Sequence, residues 1–231
     1  MVGRKERQHN PFGDRGDKPG DDRVSFQVDR DRIIYCSAFR RLAQVTQVVS
    51  AQEGHVFHNR LTHSLKVAQV ARRLAERLVA RQPDIAAKIG EIDPDVVEAA
   101  ALAHDLGHPP FGHTAEEELD KWALRNGLPD GFEGNAQSFR ILTRLAIHRV
   151  DYFGLNLTRA TLNAVLKYPW LRSPDSNSKR WRKYSIYNLD REAFLFARPD
   201  QSDRQTIEAS IMDFADDITY SVHDLEDFYL A

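Results

Sequence analysis

The chain has 231 residues, 42% hydrophobic and 29% charged, with a formal net charge of −2. That length and apolar content suffice for one sizeable core, and the balanced charge excludes a protein built only to coat nucleic acid. The single cysteine, Cys36, excludes an internal disulfide and reads as a buried thiol, and no apolar run approaches the ~20 residues that cross a bilayer.

In chain order, residues 1–23 are rich in charge, Gly and Pro and read as a mobile arm without the apolar stretch of a secretory signal. A cytoplasmic setting is expected. Residues 24–231 read as one domain. Ile33, Ile34, Ala38, Leu42 and Val45 in "DRDRIIYCSAFRRLAQVTQV" suit a helix, and the next stretch, to Asn59, reads as a loop or hairpin. "RLTHSLKVAQVARRLAERLVARQ" is amphipathic, with Val67, Val70, Ala71, Leu74 and Leu78 on one face, and Gln82-Pro83-Asp84 is expected to end it. The next helix opens with Asp93 as cap and Pro94 at its first position, and must stop by Gly107 and Pro109-Pro110. Helical runs are expected near 114–126, 134–149 and 158–168, then a polar, basic interruption "LRSPDSNSKRWRK", then a long helix to the chain end. Strand alternation is confined to about 45–57 at most. The fold class is all-α.

Chemistry gathers in "ALAHDLGHPPFGH", where three histidines and an aspartate come after a run of small apolar residues. A buried imidazole beside a buried carboxylate is costly unless its charge is compensated. A divalent cation does this: imidazole nitrogen with carboxylate oxygen suits Zn, Mn, Fe, Co or Ni, and oxygen-rich sites admit Mg. Adjacent His104 and Asp105 diverge by ~100° on a helix, so other elements must complete the shell. His63 and the Asp216-Asp217 pair offer themselves from two further helices. Asp216, Tyr220 and Asp224 stand at i, i+4 and i+8 and share one helix face, which favours Asp216 over Asp217 as the ligand.

The order His … His-Asp … Asp resembles the signature of HD-domain metal-dependent phosphohydrolases. "AFRRLAQVTQV", "HNRLTHSLKVAQVAR", "AHDLGHPPFGHTAEEELD", "FEGNAQSFRIL", "LKYPW" and "ADDITYSVHDLED" together resemble the deoxyguanosine triphosphate triphosphohydrolase branch. The resemblance runs from about Arg30 to the chain end. It implies an HD-domain helical fold of which this chain is the N-terminal portion, with later family helices falling outside it. It implies cleavage of a deoxynucleoside triphosphate, dGTP among others, to deoxynucleoside and tripolyphosphate. By motif position it makes His63, His104, Asp105 and Asp216 metal ligands. It makes His113 a catalytic residue partnered by Glu116. His108 is either an electrostatic group over the phosphates or a helix-terminal histidine bonded to backbone. Arg60 and Lys167 are implied phosphate contacts, Gln47 a reader of the sugar 3′-hydroxyl, Tyr220 a neighbour of sugar and phosphate, and Asp224 a neighbour of the sugar. Asn135 and Gln137 are candidate supporting groups, whereas Arg40 and Arg41 read as surface or interface ion pairs. A homo-oligomer is expected, with no membrane partner. Competing readings are an HD phosphohydrolase acting on a monophosphate, alarmone or cyclic dinucleotide, or a nucleotide- or single-stranded-DNA-binding protein using Trp181 among cations.

Overall fold

A run of alanines sets the architecture. Val96, Val97 and Ala99 to Ala103 lose essentially all solvent contact, while Glu98 between them stays half-buried, so this segment is apolar on nearly every side and must lie at the centre. A computed structural model of the chain describes residues 3–10, 20–45, 59–89 and 92–230, without the side chains of Ile89 and 223–230. Within it, α5 (Pro94–Ala103) is the central helix. It packs against α1 (Ser25–Tyr35), α3 (Arg60–Arg81), α8 (Arg159–Ala164) and α11 (Ile207–Leu230). Small side chains let these helices approach closely. The described residues hold helices and three isolated bridges, with no named strand. The chain is all-α, as expected. The stretch near 45–57, where alternation was possible, lies almost wholly outside the described residues, as does Gln47.

Local chemistry explains the helix boundaries. Asn59 accepts the Thr62 N–H and caps α3, and Asp93 accepts the Asp95 N–H and caps α5 with Pro94 behind it. Pro83 does end α3, but it also opens a short helix, α4 (Pro83–Ile89), because a proline fits the first helical position. The helix expected across residues 29–48 is broken at Cys36. That residue is extended, and its sulfur accepts the Phe39 N–H to start α2 (Ser37–Arg41). Beyond α6 (Gly112–Arg125) comes α7 (Gly134–Arg140). It widens into a π-turn at Ile141–Leu145 and stops there, short of the expected residue 149. The basic interruption carries one turn of helix, α9 (Lys179–Arg182), and α10 (Arg191–Ala197), unanticipated, packs its Ala193 and Phe194 into the core. No helix among the described residues is long and apolar enough to cross a membrane.

The charged lead-in is not a mobile arm over residues 3–10. Arg7 is buried and pairs with buried Asp29 of α1, while Arg4 reaches Glu208 of α11. The Arg159 and Ala160 N–H groups donate to the carbonyls of Glu6 and Arg4. A buried charge must be paired, and these partners fix the strap across three elements.

After α5 the chain turns through His104–Gly107 and presses on α7. A Cβ on Gly107 would lie 2.2 Å from the Ser138 nitrogen and 2.3 Å from the Gly134 oxygen. Ser138 Oγ donates to the His104 carbonyl and accepts the Gly107 N–H. Gly107→Ala is therefore expected to lower unfolding stability by about 3 kcal/mol, since backbone must move to admit one methyl group. Chemical denaturation measures this, and a variant as stable as wild type would contradict the packing.

Candidate metal centre and active site

Three helices deliver one buried cluster. His63 stands in the first turn of α3, His104 comes directly after the last residue of α5, and Asp216 lies midway along α11. His63 Nε2 is 3.0 Å and His104 Nε2 3.6 Å from the same carboxylate oxygen, Asp216 Oδ1. The ligand atoms of these three residues lie within 4.8 Å of one another. His104 Nδ1 is 2.6 Å from the Ala101 carbonyl oxygen, so its proton sits there and Nε2 faces the cluster. His104 Nε2 makes no hydrogen bond among the described residues, although it is buried and also 3.6 Å from Asp105 Oδ1. A buried lone pair facing two carboxylates needs a positive charge between them. A divalent cation or a proton meets that need, so the donor set fits a metal.

The electrostatics say the same. Burial opposes charge on His104, yet the carboxylates of Asp105 and Asp216 outweigh it and raise its pKa to about 9. Burial likewise opposes ionisation of Asp216, but His104, His63 and Lys167 hold its carboxyl well below the usual range. Asp105 is also held down against burial, by His104, His108 and Arg60. Burial keeps His63 and His108 below ordinary imidazole values, His108 at about 4.

Asp105 adjoins the cluster and is buried with it. Its Oδ2 accepts from Arg60 Nη1 at 2.6 Å, and its Oδ1 lies 3.1 Å from His108 Nδ1. On the opposite side, Lys167 Nζ contacts Asp216 Oδ2 at 3.2 Å and Asp213 Oδ1 at 2.6 Å. Tyr220, one turn beyond Asp216, tilts its ring onto His63 at 4.7 Å between centroids. Asp217 is exposed.

Comparison with known proteins fits this geometry. The family described as HD domain matches residues 60–221, which contain all three clustered residues. The chain belongs to the HD domain family. Curated relatives bear the name deoxyguanosinetriphosphate triphosphohydrolase-like protein. One from Streptomyces coelicolor is 48% identical over 219 residues, covering 91% of this chain and 48% of the relative. One from Corynebacterium glutamicum is 46% identical over 212 residues, 90% of this chain and 46% of the relative. One from Caulobacter vibrioides is 43% identical over 205 residues, 89% and 47%. The chain thus spans a little under half the length of the curated relatives it matches.

The HD pair ends a helix rather than lying within one, and the turn beyond it re-aims the chain. Phe111 and Gly112 both adopt left-handed backbone, at φ 68° and 60°. This reversal starts α6, where His113 stands with its side chain 76% exposed. Its Nδ1 is 3.0 Å from Glu116 Oε2, and that carboxylate raises the His113 pKa. Glu116 is buried, accepts the Gly134 N–H at 2.8 Å, and stays at about 2 despite burial, through His113 and Lys183. His113 and Glu116 line one wall of a groove of about 580 Å³ that continues past Trp181 and Lys183. Lys167 lines a second cleft with Tyr168, Trp170 and Asp217.

Other expected residues fall in varied places. Arg60, read from the resemblance as a phosphate contact, is 3% exposed and is spent on Asp105. His108 packs its ring on Gly134, where a Cβ would lie 2.9 Å from Nε2. Asp224 lies on α11, with its side chain outside the described set. Asn135 donates to Glu133, and no side-chain hydrogen bond ties Gln137 to the site among the described residues. Trp181 is covered on one face by the Arg172 guanidinium, 3.9 Å from the ring centroid. Arg41, read as an ion-pairing surface residue, instead donates to the carbonyls of Leu106 and His108 and clamps the HD turn. Glu133 and Ser138 lie in "FEGNAQSFRIL" and Lys183 ends the basic interruption, but the sequence assigns them no role, because Lys183 meets Glu116 and Glu133, and Ser138 meets His104, across long stretches of chain.

Metal uptake should displace a proton. His104 binds its extra proton below about pH 9, and a cation can take Nε2 only when that proton leaves. Affinity for Mn should therefore rise about tenfold per pH unit up to about pH 9 and then level. Calorimetric titration at about pH 7.5 in buffers of different ionisation enthalpy should count about one proton released per ion. No proton release would contradict the assignment of His104.

Proposed function

We propose that this chain carries the metal site and proton-transfer pair of a deoxynucleoside triphosphate triphosphohydrolase. The observation that carries the reading is the buried His63–His104–Asp216 cluster with the exposed His113–Glu116 pair beside the same HD turn. Asp105 completes the proposed ligand set, positioned by Arg60 and His108. The similarity to relatives named for dGTP supports the substrate class. When bound, a divalent cation, from Mg to Zn, supplies positive charge at a phosphate oxygen and makes water more acidic.

The chain's own residues supply the rest. Water adds at the α-phosphorus and releases one proton, the bond from that phosphorus to the sugar 5′-oxygen breaks, and the leaving oxygen takes a proton. His113 suits that delivery. Glu116 holds its Nδ1, which leaves Nε2 to face substrate, and the same carboxylate raises the His113 pKa, which favours the proton-bearing form. Lys167 borders a cleft beside Asp216, so it is the proposed phosphate cation. Arg60, buried on Asp105, is a positioning residue in this reading. Gln47 and Asp224 are proposed sugar contacts on the resemblance alone. A cytoplasmic homo-oligomer remains the proposed setting. The single-stranded-DNA reading loses support from the covered face of Trp181.

Incubation with each of the four deoxynucleoside triphosphates and Mn or Mg tests this. Tripolyphosphate and free deoxynucleoside are the expected products, and orthophosphate or pyrophosphate would overturn the reaction type. His113→Ala should retain the metal and lose about 10²- to 10⁴-fold in turnover. A variant turning over at the wild-type rate would remove His113 from the chemistry.

A further inference from the structure

Glu133 is a carboxylate with an unexpected position. It is 1% exposed and stands at the start of α7, where its Oε2 accepts the Asn135 and Ala136 N–H groups at 2.5 and 3.0 Å. Capping alone does not require it, because an uncharged oxygen caps as well and a buried carboxylate is expensive. Its other oxygen faces inward. Oε1 accepts from Asn135 Nδ2 at 2.8 Å and lies 3.4 Å from Lys183 Nζ. The residue's own N–H and carbonyl both engage the Tyr187 hydroxyl at 3.2 Å, so neither backbone nor side chain can swing away.

Lys183 is shared. The same Nζ lies 3.5 Å from Glu116 Oε2, the oxygen that holds His113 at 3.0 Å. Two carboxylates, one ammonium and one imidazole therefore form a chain in the order Glu133, Lys183, Glu116, His113. We propose that Glu133 is a positioning residue for the proton-transfer pair: it draws Lys183 between two carboxylates and so governs how much of the Glu116 charge is left to hold a proton on His113. The inference rests on the reading of His113–Glu116 as that pair.

The surroundings support a charge role. Burial, then the charge of Glu116, push the Glu133 carboxyl up against Lys183, to about 7, so it changes charge in the neutral range. Its other ionisable neighbours are the phenols of Tyr168, Tyr184 and Tyr187. His113 faces Lys183 and Arg60 besides Glu116. With His113 protonated and both acids ionised the four groups are neutral together. Loss of the His113 proton leaves one net negative charge on them.

The test is an NMR titration of the His113 Cε1 proton in the full chain, assigned against His113→Gln. Glu133→Gln leaves Lys183 wholly to Glu116, so the His113 pKa should fall by at least about 0.5 unit. Lys183→Met removes the competing cation, so the His113 pKa should rise by a similar amount, and Lys183→Arg should restore the wild-type value. Opposite signs are the signature, since a merely structural disturbance moves both variants toward the ordinary imidazole value. Shifts of one sign, or none, overturn the proposal. If Glu133→Gln does not fold, an unchanged or lowered His113 pKa in Lys183→Met overturns it alone. The readout needs no turnover: a chain that makes no tripolyphosphate but shows the opposite shifts would remove the proposed reaction and leave the charge relation standing.

Discussion

One carboxylate oxygen organises this protein. Asp216 Oδ1 sits between two buried imidazole nitrogens, and its companion Oδ2 meets the half-buried Lys167. Charges so placed are tolerated only when each finds an opposite partner. The cluster has more acceptors than donors where His104 Nε2 faces Asp105 and Asp216, and a cation resolves that imbalance. Three helices that are remote in sequence are held to one geometry by this requirement.

The fold meets the requirement from below. Alanines let α5 lie close to α3 and α11, so His104, at its end, comes within reach of His63 and Asp216. The turn beyond is gripped twice, by Arg41 on its carbonyls and by Ser138 against Gly107. Two left-handed residues then turn the chain into α6, where His113 is exposed while His104 stays buried. Burial separates the roles proposed for them. The enclosed imidazole suits a ligand, and the open one, braced by a buried glutamate, suits proton transfer.

Much of this was legible in the sequence because the determinants are local. Caps at Asn59 and Asp93, the apolar stripe of α3 and the alanine run of α5 announce their helices directly. The i, i+4 relation of Asp216 and Tyr220 picks out a face, and both side chains meet His63. What was not legible depends on partners far along the chain. Nothing near residues 3–10 says that Arg7 will bury itself on Asp29, a contact the charged composition hides. Arg41 looks like any surface arginine until the carbonyls of the HD turn are placed beside it. Cys36 breaks a helix through one side-chain hydrogen bond that periodicity does not register. Arg60 resembles a phosphate ligand by position, whereas burial commits its charge to Asp105.

The most direct test of the central claim is anomalous diffraction from crystals of the chain grown with Mn. The account predicts one strong peak within about 2.2 Å of a ring nitrogen of His63, Nε2 of His104 and a carboxylate oxygen of Asp216. A peak elsewhere, or none at this cluster with Mn in excess, would contradict it.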